Sequence, residues 1–498
     1  MTYLIGIDIG TSSAKAVIIK REGQLIAAVG QEYPIHTPQP GWAEQDPQDW
    51  LSAGIASTRE VVQRAGIDPR QVAGIGLAGQ MHSLVCLGEQ EQVLRPAIIW
   101  ADQRSARQVR SLTLRIGQEN LAAWTGNPLA AGFMLASWAW IQENEPHLAA
   151  QTRWLMLPKD WVRFQLTGQV GSEPSDASST LLFDPHQRTW SDPILRAVGL
   201  NRRQMPPISQ SHAVAGRLLP KMADACGLPA GLPVAMGCSD VSAQALALGI
   251  TEPGTVSVTI GTGGQLFAPV AKAGHDPALR LHLFCHALPD IWHQEAAILT
   301  AGLALRWLRD GLWPQSDYAS LADAAAEVEA AMEGLYFFPY LTGERTPYMD
   351  PGLRGAYIGL ELRHSQPHLV RAAMEGVIFA LRQGLDLMVH LGTPVARLVA
   401  SGGATRHPLW LQLQADIFNR PLAVYHTQEA TARGAALLAG VAGGVYQDVR
   451  HALRLAVHEP DQWVQPDPVR ARRYEFAYRD YLSWSQILAD RYRVEEIR

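Results

Sequence analysis

Apolar positions along the chain follow two different periods. Residues 3–9 (YLIGIDI) form an apolar, β-rich run that breaks at Gly10, Thr11, Ser12 and Ser13, and residues 14–21 return as a second such run before Gly23. Two such runs around a turn of small and hydroxyl residues predict a hairpin, with Asp8 beside the turn. Residues 47–65 instead space their apolar side chains at three and four, the period of a helix. Residues 365–391 begin with Ser365 as N-cap and Pro367 in the first turn, then carry an apolar stripe through Leu391. Segments 408–418, 431–442 and 468–491 also read as helices. Strands and helices interleave throughout, which predicts an α/β fold.

The opening hairpin has a second copy. Residues 255–264 (TVSVTIGTGG) are again a β-branched run that breaks into Ile-Gly-Thr and small residues, followed by Gln265, Leu266 and Phe267. The triplets Ile9-Gly10-Thr11 and Ile260-Gly261-Thr262 are identical and lie 251 positions apart, about half the chain. A further pair follows in the same order: residues 72–79 and 398–403 both read as buried strands ending at glycine. Two repeats in one order predict two halves of similar architecture with a cleft between them. The pattern breaks at Gly249 and Glu252-Pro253-Gly254, so the boundary is placed at 245/246, giving halves 1–245 and 246–498.

Composition narrows the function classes. A chain of 498 residues with 47% hydrophobic and 18% charged residues forms cores and exceeds one ordinary domain of roughly 150 residues. The net charge of −5 leaves no basic footprint for nucleic acid or a membrane surface, so any phosphate must be bound locally. The four cysteines (Cys86, Cys226, Cys238, Cys285) are scattered and read as reduced thiols. The opening MTYLIGIDIG carries Asp8 inside its apolar run, unlike a signal peptide. A cytoplasmic protein with small-molecule partners is expected, and a homodimer is left open.

Six segments carry candidate chemistry. In DIGTSSAK, successive backbone amides of the turn can surround a phosphate, Thr11 and Ser12 add hydroxyl donors, and Lys15 adds a positive charge. Asp8 could hold Mg²⁺, a hard cation that takes oxygen ligands. The second copy, with Gly261 and Thr262, supplies another phosphate turn; one turn per half suits a nucleotide with several phosphates. Asp240, in the run AMGCSD before a helical segment, reads either as an N-cap or as a general base at the seam. Gln80, Met81 and His82, and likewise Trp100 and Asp102, sit just past a strand's carboxyl end, where α/β sheets place ligands. Carboxylate, amide and imidazole suit a polyhydroxylated substrate, with Trp100 against a carbon face. Gly402, Gly403 and Ala404 end a strand with no bulky side chain, which suits a flat adenine or ribose.

Taken together, GIDIGTSSAK, GQMHS, PAIIWADQR, GCSD, TIGTGG, FCHALP, YLTGERTPYMDP and SGGAT resemble the FGGY carbohydrate kinases over nearly the whole chain, in family order. The resemblance implies two domains of duplicated ribonuclease-H/actin-like fold with a catalytic cleft between them. It also implies ATP and Mg²⁺ as cofactors. Asp240 stands where the family has its catalytic base, and Asp8 where it has a metal- and phosphate-linked aspartate. Met81 and His82 match sugar-contacting positions, and Gly402-Gly403 match the nucleotide region. GQMH, FCHALP with the following WH, and YLTGERTP look most like the xylulokinase branch, which phosphorylates D-xylulose at its 5-hydroxyl. Three positions depart from that branch: Val241 where Asn is usual, Ser137 where Lys is expected and Gly263 where Ser is usual. Another ketose or a polyol is the alternative substrate. An actin-like ATPase would share the phosphate turns but would not need GQMH, WADQR or Asp240. A sugar-sensing regulator would need a DNA-binding extension, and no such segment is recognisable.

Overall fold

The computed structural model describes residues 1–329 and 331–493. The predicted opening hairpin forms from β1 (Tyr3–Ile9) and β2 (Ser13–Lys20), whose register sets Asp8 opposite Lys15. A third strand, β3 (Leu25–Glu32), pairs antiparallel with β2, and the strand Val72–Gly79 pairs parallel with β1. Val72–Gly79 is followed on its outer side by Pro233–Ala235. The same arrangement recurs in the second half. Strand Gly254–Ile260 pairs antiparallel with Gly264–Val270 and parallel with Val395–Gly402. Trp292–Ile298 and Leu422–Val424 flank them on the two sides. Each half is thus three antiparallel strands continued by two parallel ones, the duplicated α/β architecture expected of this sequence pattern.

The expected helices form at Pro47–Ala65, Gln366–His390, Pro408–Phe418, Ala430–Ala442 and Pro468–Arg493. Asp46 caps the first by accepting from the Gln48 amide, and Gly66 ends it in the left-handed region. Its apolar side covers one face of the first sheet through Trp50, Leu51 and Val61. Helix Gln366–His390 is buried over most of its length in the core of the second half. Among the described residues no helix is long and apolar enough to cross a membrane.

The other face of the first sheet is covered by an alanine-rich helix from far along the chain, Ala430–Ala442. Backbone meets backbone there. A Cβ built on Gly6 would lie 1.8 Å from the Ala432 carbonyl oxygen, and one on Gly76 would lie 2.0 Å from that of Ala435. Helix Asp240–Ala247 packs against the same helix, and Ala243, Leu246, Ala435, Ala436 and Leu438 form one apolar cluster with Leu4, Val17 and Ala78. This cluster is the seam on which both halves rest.

Gly76→Ala should therefore lower stability by about 1–3 kcal/mol, the usual cost of overpacking, because the helix must withdraw to admit a methyl group. Gly311→Ala is the control: its Cβ meets nothing within 4 Å in helix Gly302–Leu312, and it should leave stability unchanged or slightly raised. Urea unfolding followed by circular dichroism would compare the two.

Candidate active site

Two clefts matter here, and one of them lies where the halves face each other. The smaller, about 230 Å³, is lined by Met81, His82, Trp100, Phe133, Asp240 and Val241 from the first half. Gln265, His282, Phe284, Glu295, Ala297 and Arg345 complete it from the second. The larger, about 540 Å³, lies within the second half. Its wall includes Gly261, Thr262, Gly302, Arg306, Tyr318, Gly403, Ala404, Arg406 and Trp410. The turn at its floor is tied down by backbone bonds: Gly261 N donates to Gly263 O at 3.0 Å, and Gly302 N to Gly261 O at 2.8 Å. Gly263 needs its missing side chain, since a Cβ there would lie 2.9 Å from the Ile298 carbonyl oxygen. That accounts for the departure from serine.

Asp240 is the first residue of helix Asp240–Ala247, and Ser239 is its N-cap, with Ser239 Oγ accepting from the Ser242 amide at 3.4 Å. The capping reading of Asp240 is thereby replaced: its Oδ1 accepts only from the adjacent Val241 amide, at 2.8 Å. Burial pushes the Asp240 carboxyl up to about 7, and the nearby Glu295 charge adds to the rise. Asp8 is pushed up to about 8 by burial and then by Asp240, while Lys15 acts in the opposite direction. Asp8 Oδ1 is buried without a hydrogen-bond partner. Two half-buried carboxyls, Asp240 raising Asp8 and Asp8 keeping a free oxygen, form a site that a cation would relieve. Mg²⁺ takes one or two carboxylates plus substrate phosphates, and Asp8 fits that requirement. Among the described residues no cluster of three or more metal-ligating side chains exists, so the protein offers no complete cage.

His82 sits in the left-handed region at φ 68°, held by Ser179, whose Oγ accepts from the His82 amide and whose carbonyl faces Nδ1 at 2.8 Å. A carbonyl only accepts, so Nδ1 carries the proton and Nε2 offers a lone pair. Burial lowers its pKa to about 4, so the ring is neutral near pH 7. Phe133 stacks on it at 3.9 Å. Trp100 donates from Nε1 to Thr11 Oγ1 at 2.9 Å, which joins the opening turn to this cleft.

Other predicted positions fall elsewhere. Gln80 is buried behind the opening turn, where its amide donates to Gly10 O and Gln45 Oε1. Asp102 is buried in an ion pair with Arg104 and accepts from the Ala43 amide, so its carboxylate is already satisfied. Neither lines the smaller cleft. Lys15 forms an ion pair with Glu429 at 2.9 Å across the two halves. Ser12 lies in the opening turn, and its carbonyl accepts from the Tyr33 amide. Gly402, in the left-handed region at φ 81°, packs against Ile260 while Gly403 and Ala404 reach the larger cleft. Ser137 is buried within helix Met134–Asn144 and lines neither cleft.

The residue reading had not assigned Gln265, His282, Glu295 or Arg345 to the site. Glu295 accepts from Gln265 Nε2 at 2.8 Å and from His293 Nε2 at 2.9 Å. Burial pushes its carboxyl up, but the His293 hydrogen bond and the nearby imidazoles of His293, His282 and His82 outweigh that and hold it below its ordinary value. The Arg345 guanidinium lines the cleft and makes no hydrogen bond or ion pair among the described residues. The available signal was a charged residue inside the buried strand Trp292–Ile298, which demands a partner or a role.

Sequence comparison places this geometry in a class. The profile of the N-terminal domain of the FGGY family of carbohydrate kinases matches residues 3–247, and that of the C-terminal domain matches residues 256–443. The chain belongs to this family and is an ATP-dependent sugar kinase. It is 34% identical over 459 residues to a xylulose kinase of Bacillus subtilis, covering 92% of each chain. It is 30% identical over 458 residues to a gluconokinase of the same organism, covering 89% of this chain and 88% of that one. Among solved structures, a xylulose kinase from Rhodospirillum rubrum superposes with a TM-score of 0.92 at 31% identity, over 99% of this chain and 100% of that one.

Asp240 makes the ligand-free protein pH-sensitive with a definite sign. Its folded carboxyl titrates near 7 against an ordinary 3.8, so between these values the folded state holds a proton that the unfolded state releases. Stability present at low pH is lost as pH rises through about 7. Each tenfold difference in proton affinity is worth about 1.4 kcal/mol. Asp240→Asn removes this titration, so its thermal midpoint should exceed that of the wild type more at pH 8 than at pH 5.

Proposed function

We propose that the protein transfers the γ-phosphate of ATP to the 5-hydroxyl of D-xylulose, with Asp240 as general base and Asp8 as the Mg²⁺-linked carboxylate. The carrying observation is Asp240 itself: a half-buried carboxyl poised near neutral pH, in the cleft that both halves line. The xylulose kinases among the relatives support the choice of sugar. In this reading the sugar lies among Met81, His82 and Trp100, with His82 Nε2 accepting from a hydroxyl. The nucleotide lies over Gly261 and Thr262, against Gly403 and Ala404, while Thr11, Ser12 and Lys15 border the phosphates from the first half.

The reacting hydroxyl gives its proton to Asp240 as its oxygen attacks the γ-phosphorus, and the bond to the leaving ADP oxygen breaks. Phosphoryl transfer passes through a loose transition state, so alignment and charge neutralisation contribute more than proton removal. Mg²⁺ held by Asp8 and the phosphates would supply that neutralisation. Arg306 and Arg406, in the wall of the larger cleft, add positive charge toward the nucleotide.

A second reading rests on Val241 and Arg345. Valine can neither donate to nor accept from a sugar hydroxyl, which favours another ketose or a polyol, and an unpaired guanidinium in the cleft suits the carboxylate of a polyhydroxy acid. An ADP-release screen over D-xylulose, D-ribulose, D-fructose, glycerol and gluconate decides between them. D-Xylulose should give the highest kcat/KM, and a larger value for any other substrate would overturn the assignment.

Asp240→Asn should lower kcat about 10²–10⁴-fold with little change in sugar affinity, and kcat/KM of the wild type should rise with pH up to about 7 and then level. Val241→Asn should raise kcat/KM for D-xylulose by up to about tenfold, since one neutral hydrogen bond is worth roughly 0.5–1.5 kcal/mol. Thr262→Val should weaken ADP more than the sugar, as separate calorimetric titrations would show.

A further inference from the structure

The chain carries a net charge of −5, yet four arginines converge on the N-terminal half at a cleft of about 750 Å³ whose wall contains no carboxylate. It shares no lining residue with either cleft of the active site. Arg188 donates to the carbonyls of His286, Leu288 and Ile291, so its charge is solvated by dipoles alone, and its Nε is buried with no partner. The Arg203 side chain is exposed and forms no hydrogen bond or ion pair among the described residues. Arg153 lies over the Trp154 ring at 3.8 Å, and its carboxylate contact, Glu89, stands at 3.9 Å. Arg202 is the braced member, donating to Trp190 O at 2.8 Å and to Thr189 Oγ1 at 2.7 Å, with exposed Asp192 at 3.3 Å.

Like charges gathered in a concave wall focus a positive potential, which is unfavourable to the empty protein and favourable to an anion. Guanidinium forks match phosphate oxygens two at a time. The volume is that of a small-molecule site, and Trp154 and Trp190 offer carbon surface beside the charges. We propose that this cleft binds a small phosphate-bearing anion at a site separate from the ATP and sugar clefts, with Arg153 and Arg203 as its principal donors. The proposal does not depend on which sugar the enzyme phosphorylates.

Calorimetry on the full chain tests it. The enzyme is first saturated with ADP in the absence of magnesium, which occupies the nucleotide cleft. Pyrophosphate, inorganic phosphate and D-ribose 5-phosphate are then titrated separately. At least one should bind at one site per chain, and R153A/R203A should weaken it about a hundredfold, about tenfold for each charge-assisted contact. ADP affinity and the thermal midpoint should not change. R203E provides a single, exposed substitution with the same expected direction should the double variant misfold. Tighter binding of ribose 5-phosphate supports the proposal with an organic phosphate as ligand, and equal binding supports it with the inorganic ion. No binding of any probe at millimolar concentration, or binding unaltered in the variants, overturns it.

Discussion

Everything in the molecule hangs on the approach of one helix to one sheet. Ala430–Ala442 lies so close to β1 and Val72–Gly79 that carbonyl oxygens of the helix occupy the space where side chains of the strands would stand. Gly6 and Gly76 on the sheet, and Gly434 on the helix against the Ala243 carbonyl, make that distance attainable. The alanines supply apolar contact without bulk, so the gain comes from tight dispersion packing along the seam rather than from large buried side chains. Helix Asp240–Ala247 packs on the same helix, so the position of Asp240 is fixed by this contact together with the pairing of Cys238–Ser239 to Val72–Gly79.

The seam also explains the electrostatics. Asp8, at the end of β1, and Asp240, at the start of its helix, are brought into one buried region by elements that cannot move apart without opening the seam. Two carboxyls so placed are costly to the folded state when ionised. That cost is what keeps their proton affinities near neutrality and leaves an oxygen of Asp8 without a partner. Glu295 shows the contrast: more deeply buried, it is satisfied by Gln265 and His293 and stays ionised. Burial alone therefore does not raise a carboxyl; burial with few hydrogen-bond donors does.

Much of this was legible in the residues. The repeated Ile-Gly-Thr turns, the flanking apolar runs and the capping signals gave both sheets and five helices, because those features are local. That Asp240, Met81, His82 and Trp100 line the cleft was legible because each follows a strand's carboxyl end, where α/β sheets open. Gln80 and Asp102 share that position but turn inward, Asp102 toward Arg104, and only the packing of a third segment decides which way such a side chain faces. Gln265, His282, Glu295 and Arg345 reach the first half's cleft from strands and a loop of the second half. No spacing within either half encodes that meeting.

The seam has a further consequence, for the order in which the chain is made. The first sheet consists of residues complete by Ser239, but one of its faces is covered by a helix beginning at Ala430. During synthesis that glycine-lined face stays uncovered while nearly two hundred further residues emerge. The N-terminal half is thus a sheet with one finished side until the ribosome has delivered almost the entire polypeptide. A fragment that stops at the middle of the chain would carry Asp8 and Asp240 and no seam to hold them.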